Sequence, residues 1–386
     1  MTVPSAPEKK SLRRLRWPLR RWAGVVLAVA GLAVLIEVLL HHYDPTRIVY
    51  KRLKAANEYV YEKVHPRFLE TDPARLITIK SPIDVAGRRQ RLIGAIWGAD
   101  GYPKSKLPDS VTAGVAAPGF KIGGALVRID RVSVGMEQRI RSILAHFHPA
   151  RPNRRLVLYH HGYAGTYRDN RRVIDRLLKE GYAVIALNLM GYGENSVFLE
   201  RPGAAPANLH FHLDRIDRPM RYHFEPSVVA LNYAERRYKY RSVDMIGFSA
   251  GGFTTAVVAA LDQRIRRSYP IAGVYPVYLR EGQDILTHGP QYYRPMLDAA
   301  GYLDMFVLGV DHHDRRQMQV FNRYDRCCFN NIKGRLYEAA VQNAATAING
   351  GKFEILIDET HADHKISDFA LDRLIADLAR PYTKGR

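Results

Sequence analysis

The sequence predicts a doubly wound α/β protein with a mostly parallel sheet, preceded by one apolar helix near the N-terminus. From about residue 155 onward, short apolar runs alternate with helix-like segments, which is the pattern of parallel βαβ units. One of these runs leads into a Gly-x-Ser-x-Gly pentapeptide that is followed by a helix of small residues. A long apolar segment follows an arginine-rich stretch at the start of the chain.

Residues 1–21 form a basic tail, and residues 22–42 are predicted to be a transmembrane signal anchor. The run Trp22–Leu40 is apolar apart from Glu37 and two glycines, and as a helix it would span about 28 Å, close to the hydrocarbon thickness of a bilayer. It is longer than a signal-peptide core and lacks a convincing cleavage site. A cleaved signal or a buried helix stays as the alternative, because Glu37 lies within the run.

The distribution of charge predicts both the orientation of the chain and the class of partner. The positive-inside rule predicts a cytoplasmic N-terminus, with the body of the protein on the outer, periplasmic or extracellular side of the membrane. The formal net charge is +20, but the arginines are scattered and no basic run belongs to a nucleic-acid module. We therefore expect a basic surface that faces solvent, anionic lipid or glycan, and no nucleic-acid partner.

The segment 43–126 is predicted to be a stalk and N-terminal extension. Apolar residues recur at helical spacing from Tyr43 to Ala74. Two short β-like runs, Leu76–Ile79 and Arg91–Ile96, are interpreted as strands. The stretch from Gly101 to Gly123 is rich in Gly, Pro and Lys and is predicted to be a loop.

The main domain is predicted over residues 127–386. Two irregular insertions, at about 194–225 and 275–316, interrupt the alternation of strands and helices and are candidates for a lid or pocket. The predicted elements, in chain order, are strands at Val127–Val134, Ile140–Ala145, Arg155–Tyr159, Tyr182–Leu187, Ser242–Gly247, Tyr269–Val274, Gln317–Phe321 and Phe353–Ile357, and helices at Asn170–Lys179, Pro226–Tyr238, Phe253–Leu261, Ile332–Ala347 and Ile366–Leu378.

Ser249 is the central candidate catalytic residue. It lies between a predicted strand and a predicted helix, so a sharp turn would lift its hydroxyl out of the sheet, and flanking glycines are needed where the two backbones approach closely. A serine hydroxyl is a poor nucleophile, so it needs a base, and the base needs an orienting carboxylate. In this architecture the chain order is serine, acid, histidine.

The C-terminal third offers two candidates for each partner. Asp325 follows a predicted strand closely, and Asp311 competes with it as the acid. His361 and His364 both follow the last predicted strand closely enough to serve as the base. These residues complete the set of side chains that a serine nucleophile requires.

Other polar residues are interpreted as structural, and no metal site is expected. The run Asp311–Asp314 is predicted to be a solvated loop, because no regular spacing aims its side chains at one point. The alternate pairs His146 and His148, and His210 and His212, are expected at the surface, and His160 is expected to be packed at a strand end. The adjacent cysteines at positions 327 and 328 are expected to be two packed thiols, since a bond between neighbours would be strained.

The pattern from about Val127 to Leu378 resembles the α/β-hydrolase fold superfamily. The residues that carry the resemblance are the turn His160–Tyr163, the turn Gly191–Ser196, the turn at Ser249, Asp325 and a terminal histidine. The segment Ala362–Ser367 is similar to the Ala-Asp-His-x-Phe-Ser ending of many esterases in this superfamily, which favours His364 as the base. Departures are Asn188, where many relatives carry aspartate, and Arg326-Cys327-Cys328 after the acid.

Together with the predicted anchor, the resemblance implies a membrane-anchored serine hydrolase that acts on a carboxylic ester and needs no cofactor. It implies Ser249, His364 and Asp325 as the catalytic triad, with the backbone N–H groups of Ala250 and Tyr163 as the oxyanion hole. The expected substrate is a small-molecule or glycan-linked ester. Two alternatives stay open: an acyltransferase that uses the same triad, and a catalytically silent binding protein of the cell envelope.

Overall fold

The computed structural model describes residues 16–137, 140–163, 165–195, 198–201, 204–208, 216–280 and 289–381. It divides into two compact units at Ala55 and Ala56. The first unit contains α1 (Arg16–His41) and α2 (Asp44–Lys54). Within α1, the segment Trp22–His41 has a mean hydropathy of 2.6 and is long and apolar enough to cross a membrane, although a signal sequence has the same properties.

The second unit begins with helices where the sequence predicted strands. The runs Leu76–Ile79 and Arg91–Ile96 are not strands: the first ends α3 (Pro73–Leu76) and continues as coil, and the second lies inside α4 (Pro82–Trp97). A capping box between Ser81 and Asp84 begins α4. Leu92, Ile93, Ile96 and Trp97 are buried, and their spacing places them on one helical face. The apolar cluster was therefore interpreted with the wrong period.

The sheet of the second unit has nine strands in the order β1-β2-β3-β5-β4-β8-β9-β10-β11. The strands β1, β2, β3 and β5 pair antiparallel, and the strands from β5 through β4 to β11 pair parallel, as the sequence predicted for the main domain. Their bounds are β1 (Ser110–Thr112), β2 (Leu126–Gly135), β3 (Arg141–Pro149), β4 (Arg155–His160), β5 (Ala183–Leu187), β8 (Ser242–Phe248), β9 (Ile265–Ile271), β10 (Arg316–Asn322) and β11 (Lys352–Asp358).

Helices cover both faces of this sheet, with one hydrophobic cluster on each face. The helices α5 (Arg171–Lys179) and α11 (Asp368–Ala379) contribute to one cluster, and the other contains α4, α6 (Met220–Arg237), α7 (Ala250–Leu261), α9 (Tyr302–Leu308) and α10 (Arg335–Ala347). Ser367 caps α11 by accepting a hydrogen bond from the backbone of Ala370, as its position predicted.

The two predicted insertions differ in character. In the first, β6 (Phe198–Arg201) and β7 (Ala204–Asn208) form a separate antiparallel hairpin, and α6 begins at Met220 and continues through Pro226. The second contains α8 (Arg294–Ala299) and α9. All residues of α9 are buried, so this part of the predicted lid belongs to the hydrophobic core.

Candidate active site

Ser249 lies at the junction of β8 and α7. Its backbone adopts φ 56° and ψ −128°, a region that costs a non-glycine residue on the order of 1–3 kcal/mol. Its N–H donates to the Ile271 carbonyl at 2.8 Å, and its carbonyl accepts from Gly252 N–H at 2.7 Å. A Cβ at Gly251 would collide with the His160 carbonyl, so glycine is required where α7 passes the end of β4.

The turn after β4 lies directly against this serine. A Cβ on Gly162 would be 2.6 Å from Ser249 Cβ and 2.9 Å from the backbone nitrogen of Ala250. The close approach therefore depends on glycine. This approach brings the turn that contains Tyr163 next to Ala250, the first residue of α7. The two predicted oxyanion donors are the backbone N–H groups of these two residues.

The structure brings two of the predicted catalytic residues into contact. His364 Nδ1 is 2.6 Å from Asp325 Oδ2, a short hydrogen bond of the kind made to charged groups. The Asp325 side chain is fully buried, whereas 21% of the His364 side chain is exposed. The other carboxylate oxygen of Asp325 accepts the backbone N–H of Cys327 at 2.7 Å.

Aromatic contacts bring His364 close to the serine turn. The His364 ring lies 4.7 Å from the ring of Phe248, the residue before Ser249. His161 lies 6.0 Å from the same ring, and burial, with a further contribution from nearby His364, lowers the pKa of His161 to about 4. His364 Nε2 is buried and makes no hydrogen bond to the described residues, so the bond from Ser249 to this nitrogen is not formed here.

The alternative base and the alternative acid have other partners. His361 is buried, with Nε2 at 3.3 Å from Asp358 Oδ2, and its Nδ1 accepts the backbone N–H of Asp363 at 3.1 Å. The loop predicted at Asp311–Asp314 is a turn that is exposed at His312 and His313. The carboxylate of Asp311, however, is buried and forms ion pairs with Arg89 and Arg315. These contacts leave Asp325 and His364 as the carboxylate and imidazole that meet at the serine turn.

The covalent state of the adjacent cysteines differs from the expectation. Cys327 and Cys328 are joined in a disulfide, not packed as two thiols. Both Sγ atoms and one ring nitrogen of His364 lie within 4.8 Å of one another. This contact was not predicted from the sequence, although the cysteines follow Asp325 by only two and three residues, which was a signal that they lie at the site.

A second polar cluster lies away from this site, on β2 and β3. His146 is fully buried, contrary to the expected surface position, and its Nε2 is 2.9 Å from the Tyr240 hydroxyl. His148 Nε2 is 2.8 Å from Asp130, whose other oxygen is 2.9 Å from the Arg128 guanidinium. The histidines of this cluster already have polar partners, and the Asp130 carboxylate already forms an ion pair with Arg128. We therefore assign no metal to this cluster. His210 and His212 lie outside the described residues.

Comparisons with known proteins agree with this architecture. A family model for the alpha/beta hydrolase fold matches residues 155–276, a range that includes Ser249. No curated protein matches the chain.

Several solved esterases have similar structures. A methylesterase is similar with a TM-score of 0.59 and 14% identity, covering 83% of this chain and 69% of its own. A glucuronoyl esterase from Solibacter usitatus is similar with a TM-score of 0.53 and 14% sequence identity. The match covers 79% of this chain and 96% of the esterase. Acetyl xylan esterase 1 from Thermoanaerobacterium is similar with a TM-score of 0.51 and 14% sequence identity. The match covers 80% of this chain and 98% of that esterase. The family match and these likenesses together show that the chain has the α/β-hydrolase fold.

Proposed function

We propose that this protein is a serine hydrolase that cleaves a carboxylic ester through an acyl-enzyme intermediate. Ser249 is the nucleophile, His364 the general base and acid, and Asp325 the carboxylate that orients His364. The observation that carries the proposal is the 2.6 Å hydrogen bond between Asp325 and His364, next to a serine with the backbone geometry of a strand-to-helix nucleophile turn.

In each half of the proposed reaction, His364 first accepts a proton and then returns it. Ser249 Oγ attacks the acyl carbon while His364 Nε2 accepts the hydroxyl proton, and the Asp325 carboxylate stabilises the imidazolium through Nδ1–H. The tetrahedral intermediate collapses to the acyl-enzyme, and His364 returns the proton to the leaving alcohol. Water, deprotonated by His364, then attacks the acyl-enzyme, and His364 returns this proton to Ser249 Oγ as the acid is released.

The oxyanion hole in this proposal consists of the backbone N–H groups of Ala250 and Tyr163. Their two segments meet at Gly162, which is in close contact with Ser249 and Ala250. Two donors aimed at the negative oxygen contribute about 3 kcal/mol each to stabilisation of the transition state. Backbone donors are insensitive to side-chain chemistry but sensitive to the shape of the turn.

The proposed substrate is a small-molecule or glycan-linked ester, and the proposed location is the outer face of a membrane. The names of the similar acetyl xylan and glucuronoyl esterases support a glycan-linked ester for this chain. The apolar segment Trp22–His41 supports a single membrane anchor, and the preceding arginines support a cytoplasmic N-terminus. The Cys327–Cys328 disulfide is consistent with an oxidising compartment.

Labelling with a neutral fluorophosphonate tests the nucleophile directly. We expect wild type to be labelled, Ser249→Ala to lose all labelling, and His364→Ala to react at least about 10³-fold more slowly, because the serine then has no base. Ser227→Ala is the matched control, since Ser227 is buried and its Oγ has no partner among the described residues. Folded wild type that resists the probe would contradict the proposal and favour a binding protein.

Product analysis distinguishes hydrolysis from acyl transfer. Wild type is incubated with an acetyl ester in the presence and absence of an alcohol or amine acceptor. We expect free acetate at the same rate in both mixtures. An acetyl group that is recovered only on the acceptor, with no free acetate, would identify an acyltransferase with the same triad.

A further inference from the structure

The loop that carries Asp325 is held in a shape that needs support from outside. This acid loop, residues 323–334, joins β10 to α10 and consists of turns and irregular backbone. The Asn331 N–H donates to the Arg323 carbonyl at 3.0 Å, and Asn330 Nδ2 donates to the Asp325 carbonyl at 3.0 Å, so the loop closes around the catalytic carboxylate. Asn331 itself has a φ of 71°. A non-glycine residue keeps such a conformation only where its surroundings over-determine it.

The N-terminal extension supplies this support through one buried side chain. Asn331 is 1% exposed. Its Nδ2 donates to the carbonyl of Tyr59 at 2.8 Å, to that of Lys63 at 3.0 Å and, more weakly at 3.3 Å, to that of Val60. These carbonyls belong to residues 57–65, which we call the extension turn and which lie in the same compact unit as the acid loop. Because an amide has two N–H donors, both are used on the extension turn.

Arg323 makes a second attachment between the same two segments. Its Nε donates to the Tyr61 carbonyl at 3.1 Å, and its Nη2 donates to the Glu62 carboxylate at 2.9 Å. The Tyr61 ring lies 5.8 Å from the ring of Tyr324, which precedes Asp325. Burial, and after it the negative charge of Asp325, raises the pKa of Tyr61. The extension turn therefore lies close enough to the catalytic carboxylate for that charge to act on it.

The position of the Asp325 carboxylate matters because its bond to His364 is short and directional. The two side chains meet at 2.6 Å, and a displacement of about 1 Å can lower the rate of a catalysed reaction about 100-fold. Asn331 makes both the backbone bond that closes the acid loop and the side-chain bonds that attach this loop to the extension turn. Loss of the attachment would therefore let the loop, and the carboxylate with it, move relative to His364.

We propose that Asn331 is a positioning residue for the Asp325 carboxylate, and that the extension turn supports the active site through it. The role rests on the proposed function, since it concerns the geometry of the same acid. Asn331 acts through the backbone of the acid loop and takes no part in proton transfer. The alternative is a purely structural role, in which the same bonds stabilise the fold but do not affect how Asp325 meets His364.

Steady-state kinetics of Asn331→Gly in the full-length protein is the first test. Glycine adopts a positive φ without steric cost, so this substitution removes the amide donors and leaves the backbone conformation accessible. We expect kcat on a neutral acetyl ester to fall about 10- to 100-fold while KM changes less than about twofold, because contacts to the substrate are retained. Asn349→Gly is the matched control, since Asn349 also has a positive φ, of 57°, but its side chain is exposed. This control should change neither constant.

Nitrogen NMR of isotope-labelled histidine reports the contact between Asp325 and His364 directly. In a neutral imidazole, the hydrogen bond at one ring nitrogen decides which nitrogen carries the proton, so a carboxylate at Nδ1 favours the tautomer with its proton there. Spectra are recorded on the Ser249→Ala protein at about pH 9, where imidazoles are neutral, and His364→Ala assigns the signals by their loss. We expect the Nδ1-protonated tautomer in Ser249→Ala, with or without Asn349→Gly, and averaging between both tautomers when Asn331→Gly is added.

Urea denaturation identifies the variants that are folded under the assay conditions. A folded Asn331→Gly protein with an unchanged His364 tautomer, or with an unchanged kcat, overturns the proposal and assigns Asn331 a purely structural role. If this variant does not fold, Asn331→Ser, whose hydroxyl keeps one donor, decides between the two roles by the same measurements. Failure of Ser249 to react with a neutral phosphonate contradicts only the proposed catalysis, because the tautomer of His364 is measured without the serine.

Discussion

At the scale of single residues, the candidate site depends on a close contact between two turns. Ser249 adopts a positive φ of 56°, and Gly162 approaches its Cβ so closely that no side chain fits at position 162. The strain is maintained because the surrounding backbone hydrogen bonds over-determine the turn. Substitutions that change the shape of this backbone should therefore affect the site more than substitutions that change only the chemistry of a side chain.

The first prediction concerns Gly162. Gly162→Ala should lower kcat for ester hydrolysis about 100-fold, because the added methyl group would separate the two segments that carry the oxyanion donors. Tyr163→Phe retains the backbone N–H and should change kcat by less than about threefold. Steady-state kinetics on a neutral ester measures both. Equal losses in the two variants would mean that the turn acts through its tyrosine side chain instead.

A second prediction separates the two buried aspartates. Asp325→Asn should lower kcat about 10⁴-fold, because the amide no longer holds the His364 tautomer that accepts the serine proton. Asp311→Asn should leave kcat nearly unchanged but lower the free energy of unfolding by about 3 kcal/mol, since it leaves the buried guanidinium of Arg315 without its carboxylate partner. Kinetics and urea denaturation of both variants measure the difference. The reverse pattern would identify Asp311 as the functional acid.

At the scale of elements, two neighbouring parallel strands deliver the acid and the base. The strands β10 and β11 pair in register from Arg316 with Lys352 to Asn322 with Asp358. Asp325 follows the end of the first strand and His364 follows the end of the second, so their loops emerge at the same edge of the sheet. Asp358 organises the second loop by accepting hydrogen bonds from Thr360 and Ser367.

The third prediction uses the pKa of Asp358. Burial raises this pKa, but the His361 imidazole at 3.3 Å and the hydrogen bonds from Ser367 and Thr360 outweigh burial and lower it from 3.8 to about 2. Because the folded pKa lies below the unfolded one, the resulting stabilisation is present above pH 4 and is lost as the pH falls through about 2. Asp358→Asn should therefore cost on the order of 2 kcal/mol of unfolding free energy at pH 7.

Urea denaturation at several pH values measures this effect. The difference between wild type and Asp358→Asn should be constant from pH 7 to about pH 5 and should shrink from pH 4 toward pH 2. Asp363→Asn is the control, since this nearby carboxylate is partly exposed and lies 3.6 Å from the Lys365 ammonium. A difference that is independent of pH would mean that Asp358 contributes through shape rather than charge.

At the scale of the whole molecule, the fourth prediction concerns the membrane. The full chain should sediment with membranes and resist extraction by carbonate, and a variant that lacks residues 1–43 should be soluble, because the apolar segment Trp22–His41 is then removed. A protease added outside spheroplasts, whose cytoplasmic membrane is intact, should cleave the catalytic unit if the proposed orientation is correct. The N-terminal sequence of the mature protein identifies the alternative, a cleaved signal, by a start beyond the apolar segment.

The sequence predicted the elements of the main domain well and those of the extension poorly. Alternation between apolar strands and amphipathic helices is a local property, so β4, α5, β5 and β8 were found near their observed bounds. The short run Arg91–Ile96 is compatible with either period, and only its capping box and its packing make it part of a helix. The burial of α9 was missed for a similar reason, because a short helix inside an irregular segment has little periodicity.

By itself, the sequence determined the fold class and the candidate nucleophile, because a strand, a sharp glycine-flanked turn and a helix are encoded within about a dozen residues around Ser249. It also supplied two candidates for each partner. Only the tertiary structure showed that Asp325 contacts His364, whereas Asp311 forms an ion pair with Arg89 and His361 lies beside Asp358. It also showed that the Cys327–Cys328 disulfide lies close to His364. The contacts of Asp325 with His364 and of Asp311 with Arg89 join residues far apart in the chain, and their geometry depends on strand order and register, which no local pattern specifies.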